Sequence, residues 1–170
     1  MQAKQTLPIV LAVVLLSVSA TSVFADPLYA GGTVAVGDQY SITTLNGYAR
    51  AWIDGQWLTG PANLELRVQV TFVGPQNVVF RVVLGTFLVR DKDYVIDVGH
   101  WMGDYNFETH TSVYQGPATA PNGGEGYFVI YGQDTGIGSV GVLMHAYSDF
   151  RGEYGALWHV DLTTVRYQVY

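Results

Sequence analysis

From Asp38 onward, apolar and polar residues alternate along most of the chain. In the stretch NLELRVQVTFVG, residues Leu64, Leu66, Val68, Val70 and Phe72 share one parity, and Glu65, Arg67, Gln69 and Thr71 share the other. Successive side chains of an extended chain point to opposite faces, so this stretch predicts a strand with one buried and one wet side. Gly74-Pro75-Gln76-Asn77 predicts a turn, VVFRVVLGTFLVR a long strand with Gly85 marking a bulge or bend, and Arg90-Asp91-Lys92-Asp93 the turn into YVIDVGHW. YFVIYG, SVGVLMHAY and ALWHVDLTTVRYQV predict three more strands, joined at Gln133–Gly138 and Ser148–Gly155. Upstream, QYSITTLNGYARAWIDGQWL supplies one or two, with Gly47 and Gly55 as breakers. The section from Gly103 to Gly126 predicts one irregular strand near Thr109 to Tyr114 and then the loop GPATAPNGGEG. The last strand carries its apolar residues on even positions through Leu162 and on odd positions from Val165, which predicts a phase change after Thr163-Thr164.

About eight strands and no segment of helical periodicity predict an all-β fold, a single antiparallel β-barrel or β-sandwich, with consecutive hairpins favouring closure. Two strands are apolar on both faces: Val78, Phe80, Val82 and Leu84 oppose Val79 and Val83, and YFVIY has no wet side. They predict that part of the outer surface packs against another subunit of a homo-oligomer, a long loop or an extracellular protein partner. An outer-membrane barrel has a similar pattern, but the phase change in the last strand and the lack of long loops on one rim argue against it.

The first segment, MQAKQTLPIVLAVVLLSVSATSVFA, breaks the alternation. One lysine, an apolar run from Leu7 to Val18 and the small-residue exit Val23-Phe24-Ala25 form a secretory signal pattern, cleaved after Ala25, with Ala20 as a second exit. An uncleaved anchor is the alternative, since the run can be stretched to Phe24. Residues 26–170 then form a single all-β domain, secreted to an extracellular or periplasmic location and free of the membrane once the signal is removed. Removing 25 of the 170 residues leaves 145, enough for one core.

That mature part keeps 7 basic and 14 acidic residues, a formal charge of −7 that repels phosphate backbones and makes nucleic acid an unfavourable partner. The absence of cysteine excludes disulfides, thiolate metal sites and cysteine nucleophiles together. The core must therefore do the stabilising, which suits a 49% hydrophobic and 14% aromatic composition.

The candidate chemistry is sparse. His145 and His159 fall on the polar parity of the last hairpin, so a register in which paired numbers sum to 304 sets them directly opposite, with Cβ atoms about 4.5–5.5 Å apart; 302 or 306 makes them diagonal neighbours. Asp161 shares that face. His145, His159 and Asp161 are thus candidate ligands of a divalent metal, although a flat sheet lacks the enclosing shell such sites use. Trp52, Trp57, Trp101 and Tyr105 lie near turns and are candidate ligand-binding residues, because aromatic faces stack on sugar rings. GIGSVG matches a dinucleotide-loop pattern but precedes a strand, which makes it a hairpin loop. RDKDYVID lacks the turn glycine and distal glutamate of a calcium loop. His100 and His110, with Asp97, Asp104 and Glu108, lie in the least regular section, where a loop site would sit. No nucleophile elbow, zinc-protease helix motif or P-loop is present. The chain therefore reads as an exported, non-catalytic binding or structural module. The alternatives are a barrel binding carbohydrate or a small apolar ligand, and a metal-dependent enzyme using the His145/His159 face. No cofactor is expected beyond that possible metal.

Overall fold

The structure, a computed structural model, describes residues 26–169; the leader expected over residues 1–25 lies outside them. A short helix α1 (Pro27–Ala30) precedes nine strands: β1 (Gln39–Ile53), β2 (Gln56–Val73), β3 (Asn77–Val89), β4 (Lys92–Ile96), β5 (Met102–Asn106), β6 (Thr111–Thr119), β7 (Glu125–Ile137), β8 (Val142–Arg151) and β9 (Leu157–Val169). All pair antiparallel in one sheet, and the β2–β3 pairing closes it into a ring, so the fold is a barrel. β4 and β5 occupy one place between β3 and β6, interrupted by a 3₁₀ turn at Val98–His100. Nine strands therefore make the ring that the sequence pattern predicts as about eight.

Pro117 sits opposite that interruption. A proline has no N–H for a ladder bond, and here the neighbouring strand is absent: β6 pairs with β5 up to Gln115 and with β4 from Ala118. Its carbonyl accepts from Asp97 N at 3.2 Å and from the Trp101 indole at 2.6 Å. The expected loop from Gly116 is thereby corrected, since β6 runs on to Thr119. β7 likewise continues to Ile137, through residues expected to form a loop. β1 is continuous through Gly47, with a bulge between Thr44 and Asn46 where Thr44 Oγ1 bonds both Leu64 N and Leu64 O at 2.8 Å.

β9 corrects the expected phase change. Its even positions stay inside from Trp158 through Val160, Leu162 and Thr164 to Arg166, so the strand keeps one phase and places polar residues in the interior. Val165 is buried on the opposite side, which mimics a switch when only hydrophobicity is read.

The interior is filled by side chains. At the end of the barrel near the β1–β2 turn, Phe87, Tyr94, Phe128, Phe150 and Trp158 pack together, most of the ring pairs edge to face with centroids 5.2–5.8 Å apart, and Phe87–Tyr94 and Phe128–Phe150 tilted at 6.2 and 4.4 Å. Each fully buried large apolar side chain contributes about 1.5–3 kcal/mol, and each favourable ring pair about 0.5–1.5 kcal/mol more. Gly116 makes room for Trp101: a Cβ there would lie 2.2 Å from the indole Cδ1. The outer face mixes Glu65, Arg67, Arg81 and Asp149 with exposed Tyr127 and Tyr131, outward apolar positions expected from the two-faced strands; Leu84, expected on the face of Phe80 and Val82, points outward instead because the β2–β3 register shifts at Val83.

Candidate functional site

α1 closes the end of the barrel opposite the aromatic layer. Asp26 caps it, accepting from Leu28 N at 2.9 Å, and Pro27 occupies the first helical position, where its missing N–H costs nothing. The second Asp26 oxygen reaches Arg166 Nε at 2.6 Å. Arg166 holds Asp134 from the other side through a two-pronged contact, Nη1 to Oδ1 at 3.1 Å and Nη2 to Oδ2 at 2.9 Å. These side chains are 0–1% exposed. The guanidinium also lies 4.6 Å above the Tyr105 ring, and Nη1 reaches Met144 Sδ at 3.6 Å.

Tyr105 carries the network outward. Its hydroxyl donates to Asp134 Oδ2 at 2.8 Å and lies 2.9 Å from His110 Nδ1. A phenol has one proton, so with that proton given to Asp134 it is His110 Nδ1 that donates to the hydroxyl oxygen. His110 is half-buried against Tyr29 of α1, ring centroids 5.1 Å apart, and borders an opening of about 280 Å³ with Gly31, Pro75 and Phe107. Its backbone carbonyl accepts from Asp134 N at 3.0 Å, which fixes the loop to β7.

Burial raises the pKa of Asp26, outweighing the lowering by Arg166. Burial alone would lower that of Arg166, but Asp26 and Asp134 more than reverse it, so the guanidinium stays charged. Burial and then the Asp134 charge raise the Tyr105 phenol, and burial pushes Tyr114 up to about 12. With both carboxylates committed to Arg166 and out of water, the cluster is a fastener that ties α1 to β7 and β9.

Trp52 and Trp57 face each other across a two-residue turn, Asp54-Gly55, whose positive φ values of 49° and 78° suit a right-twisted hairpin. Their rings meet edge to face at 5.2 Å, both are 56% exposed, and the Arg50 guanidinium lies 5.8 Å from the Trp57 ring. Trp101 and Tyr105, grouped with them as candidate ligand-binding residues, are instead buried, and both have their polar tips bonded inside. A ligand stacking from solvent meets only the first pair.

His145 and His159 share the outer face, as parity requires, but the expected register is corrected. The paired numbers sum to 308, with Val142 opposite Arg166, so His145 faces Thr163 and His159 faces Asp149. Four residues then separate the two histidine levels, about 13 Å along the strand. Each has its own carboxylate: His145 Nε2 to Asp161 Oδ1 at 3.7 Å, and His159 Nδ1 to Asp149 Oδ1 at 2.7 Å. Among the described residues no group of three His, Cys, Asp or Glu side chains is placed to hold a metal ion. His100 pairs with Asp97 at 2.6 Å in the exposed 3₁₀ turn, Asp104 accepts from Asn77 at 2.6 Å, and Glu108 takes part in a turn around Asn106. Of the irregular section's candidates, only His110 joins the buried network.

Comparison with known proteins returns no match: no family model, curated protein or solved structure is similar to this chain.

Proposed function

We propose that the protein is an exported, non-catalytic binding module that holds its ligand on the barrel rim, and that this ligand is a carbohydrate. The observation that carries the reading is the exposed pair Trp52 and Trp57 on a tight hairpin. Two indoles left more than half in water at a fixed turn keep ring faces open, and the apolar face of a pyranose stacks on such a surface while indole N–H and neighbouring polar groups bond its hydroxyls. Arg50, Asp54 and Gln56 supply those groups on the same hairpin. The filled interior favours an outside site over a cavity carrier.

Glycan arrays followed by calorimetry test this. Saturable binding of a sugar is expected, with Trp52→Ala or Trp57→Ala weakening it about tenfold or more while the melting temperature changes little. Wild-type protein that binds no sugar contradicts the reading. The metal-dependent alternative requires one ion to reach both histidines, and their separation along β8 and β9 gives it no support.

A further inference from the structure

The buried cluster holds two carboxylates and one guanidinium, so its side chains carry one uncompensated negative charge when ionised. An unpaired charge at 0–1% exposure is costly, and a second cation nearby would offset it. We infer that hydrolysis of the Ala25–Asp26 bond completes this cluster, the α-ammonium it leaves on Asp26 serving as the missing cation. Water supplies the balance: Ala25 gains a carboxylate and Asp26 an ammonium, with an export peptidase as catalyst. This inference rests on the exported reading above but not on sugar binding.

Covalent geometry places that charge. Within one aspartate the amine nitrogen and the carboxylate oxygens stay within about 5 Å of each other, and here the carboxylate is already held by Arg166 Nε and Leu28 N. A cut at the other exit, after Ala20, would leave the charge five residues away. Asp26 is buried in the folded barrel, so the bond beside it must be cut before α1 docks. Chain order allows this: Arg166 lies 140 residues downstream, and the fastener cannot close until β9 is in place.

The pH dependence differs between the two forms. With the peptide bond intact, burial holds the Asp26 pKa above its unfolded value. Its contribution to stability is then fully present below the unfolded pKa and lost as pH rises through the folded one. An adjacent ammonium favours the carboxylate and weakens or reverses that slope. The groups facing Asp26 are Arg166 on β9, Asp134 on β7 and Tyr114 on β6, with Tyr105 on β5 and His110 one bond further out. A His110→Gln background takes the histidine out of the comparison.

The test has two parts. The mass of the full chain after export should correspond to a start at Asp26. Protein starting at Asp26 should also be compared with protein retaining Ala25, both released from scarless fusions. The Asp26 form should melt at least about 2–4 °C higher, its α-amine should acylate at least about tenfold more slowly at neutral pH, and its melting temperature should fall less as pH rises. An exported chain that begins elsewhere, or two forms with equal melting and acylation, overturns the inference. The glycan measurement reads the sugar proposal separately.

Discussion

At one end of the barrel Phe87, Tyr94, Phe128, Phe150 and Trp158 form a dry aromatic layer; at the other, Asp26, Arg166 and Asp134 tie a helix across the opening. Both ends exclude water, by different physics. The aromatic layer sums many small, non-directional contacts, so losing one leaves the rest standing. The charged end depends on mutual neutralisation, so removing one member strands the others in a medium that cannot solvate them. The first should fail gradually and the second abruptly.

The largest expected effect is at the charged end. Arg166→Met should cost about 3–5 kcal/mol in urea unfolding, because two buried carboxylates lose their partner. Replacing all three together, Asp26→Leu, Asp134→Leu and Arg166→Met, should recover most of that loss, since an apolar cluster of similar volume is often as stable. A triple variant as unstable as Arg166→Met alone would break the contrast. Next, at the aromatic end, Phe128→Leu should cost about 1.5–3 kcal/mol, because its three ring pairs are lost while the remaining rings close on the smaller residue. Then comes Gly116→Ala, expected to cost about 1–3 kcal/mol by driving a methyl into Trp101. The smallest effect is outside: His159→Ala should shift stability by no more than about 0.5 kcal/mol, because its contact with Asp149 is solvent-exposed.

The same contrast governs what the sequence revealed. Strand positions and the aromatic layer follow from alternation, because in Leu64 to Val70 and in Trp158 to Leu162 burial and hydrophobicity coincide, whereas Phe72, expected on the buried side, is exposed where the β2–β3 register shifts after Val70. At Arg166 and Asp134 they part company: interior positions hold charges, which pattern reading assigns to the surface or to a loop. The false phase change in β9 and the shortened β7 both come from this. One local signal was present, Asp26-Pro27 as an N-cap followed by proline, but four helical residues leave no periodicity to find. His110 and Tyr105 were singled out from the sequence, yet their link through Asp134 joins β5, the loop before β6 and β7, which no local pattern encodes. The histidine hairpin shows the complementary limit, since parity fixes the face and leaves the register open by steps of two.

A double-mutant cycle between Asp26 and Arg166 tests most directly whether the barrel is closed by a charge fastener that brings together residues 140 positions apart. Using Asp26→Ala and Arg166→Met with urea unfolding, the two changes should be coupled by about 1–3 kcal/mol, the double variant losing less than the two single losses combined. Additive losses, with coupling near zero, would contradict it.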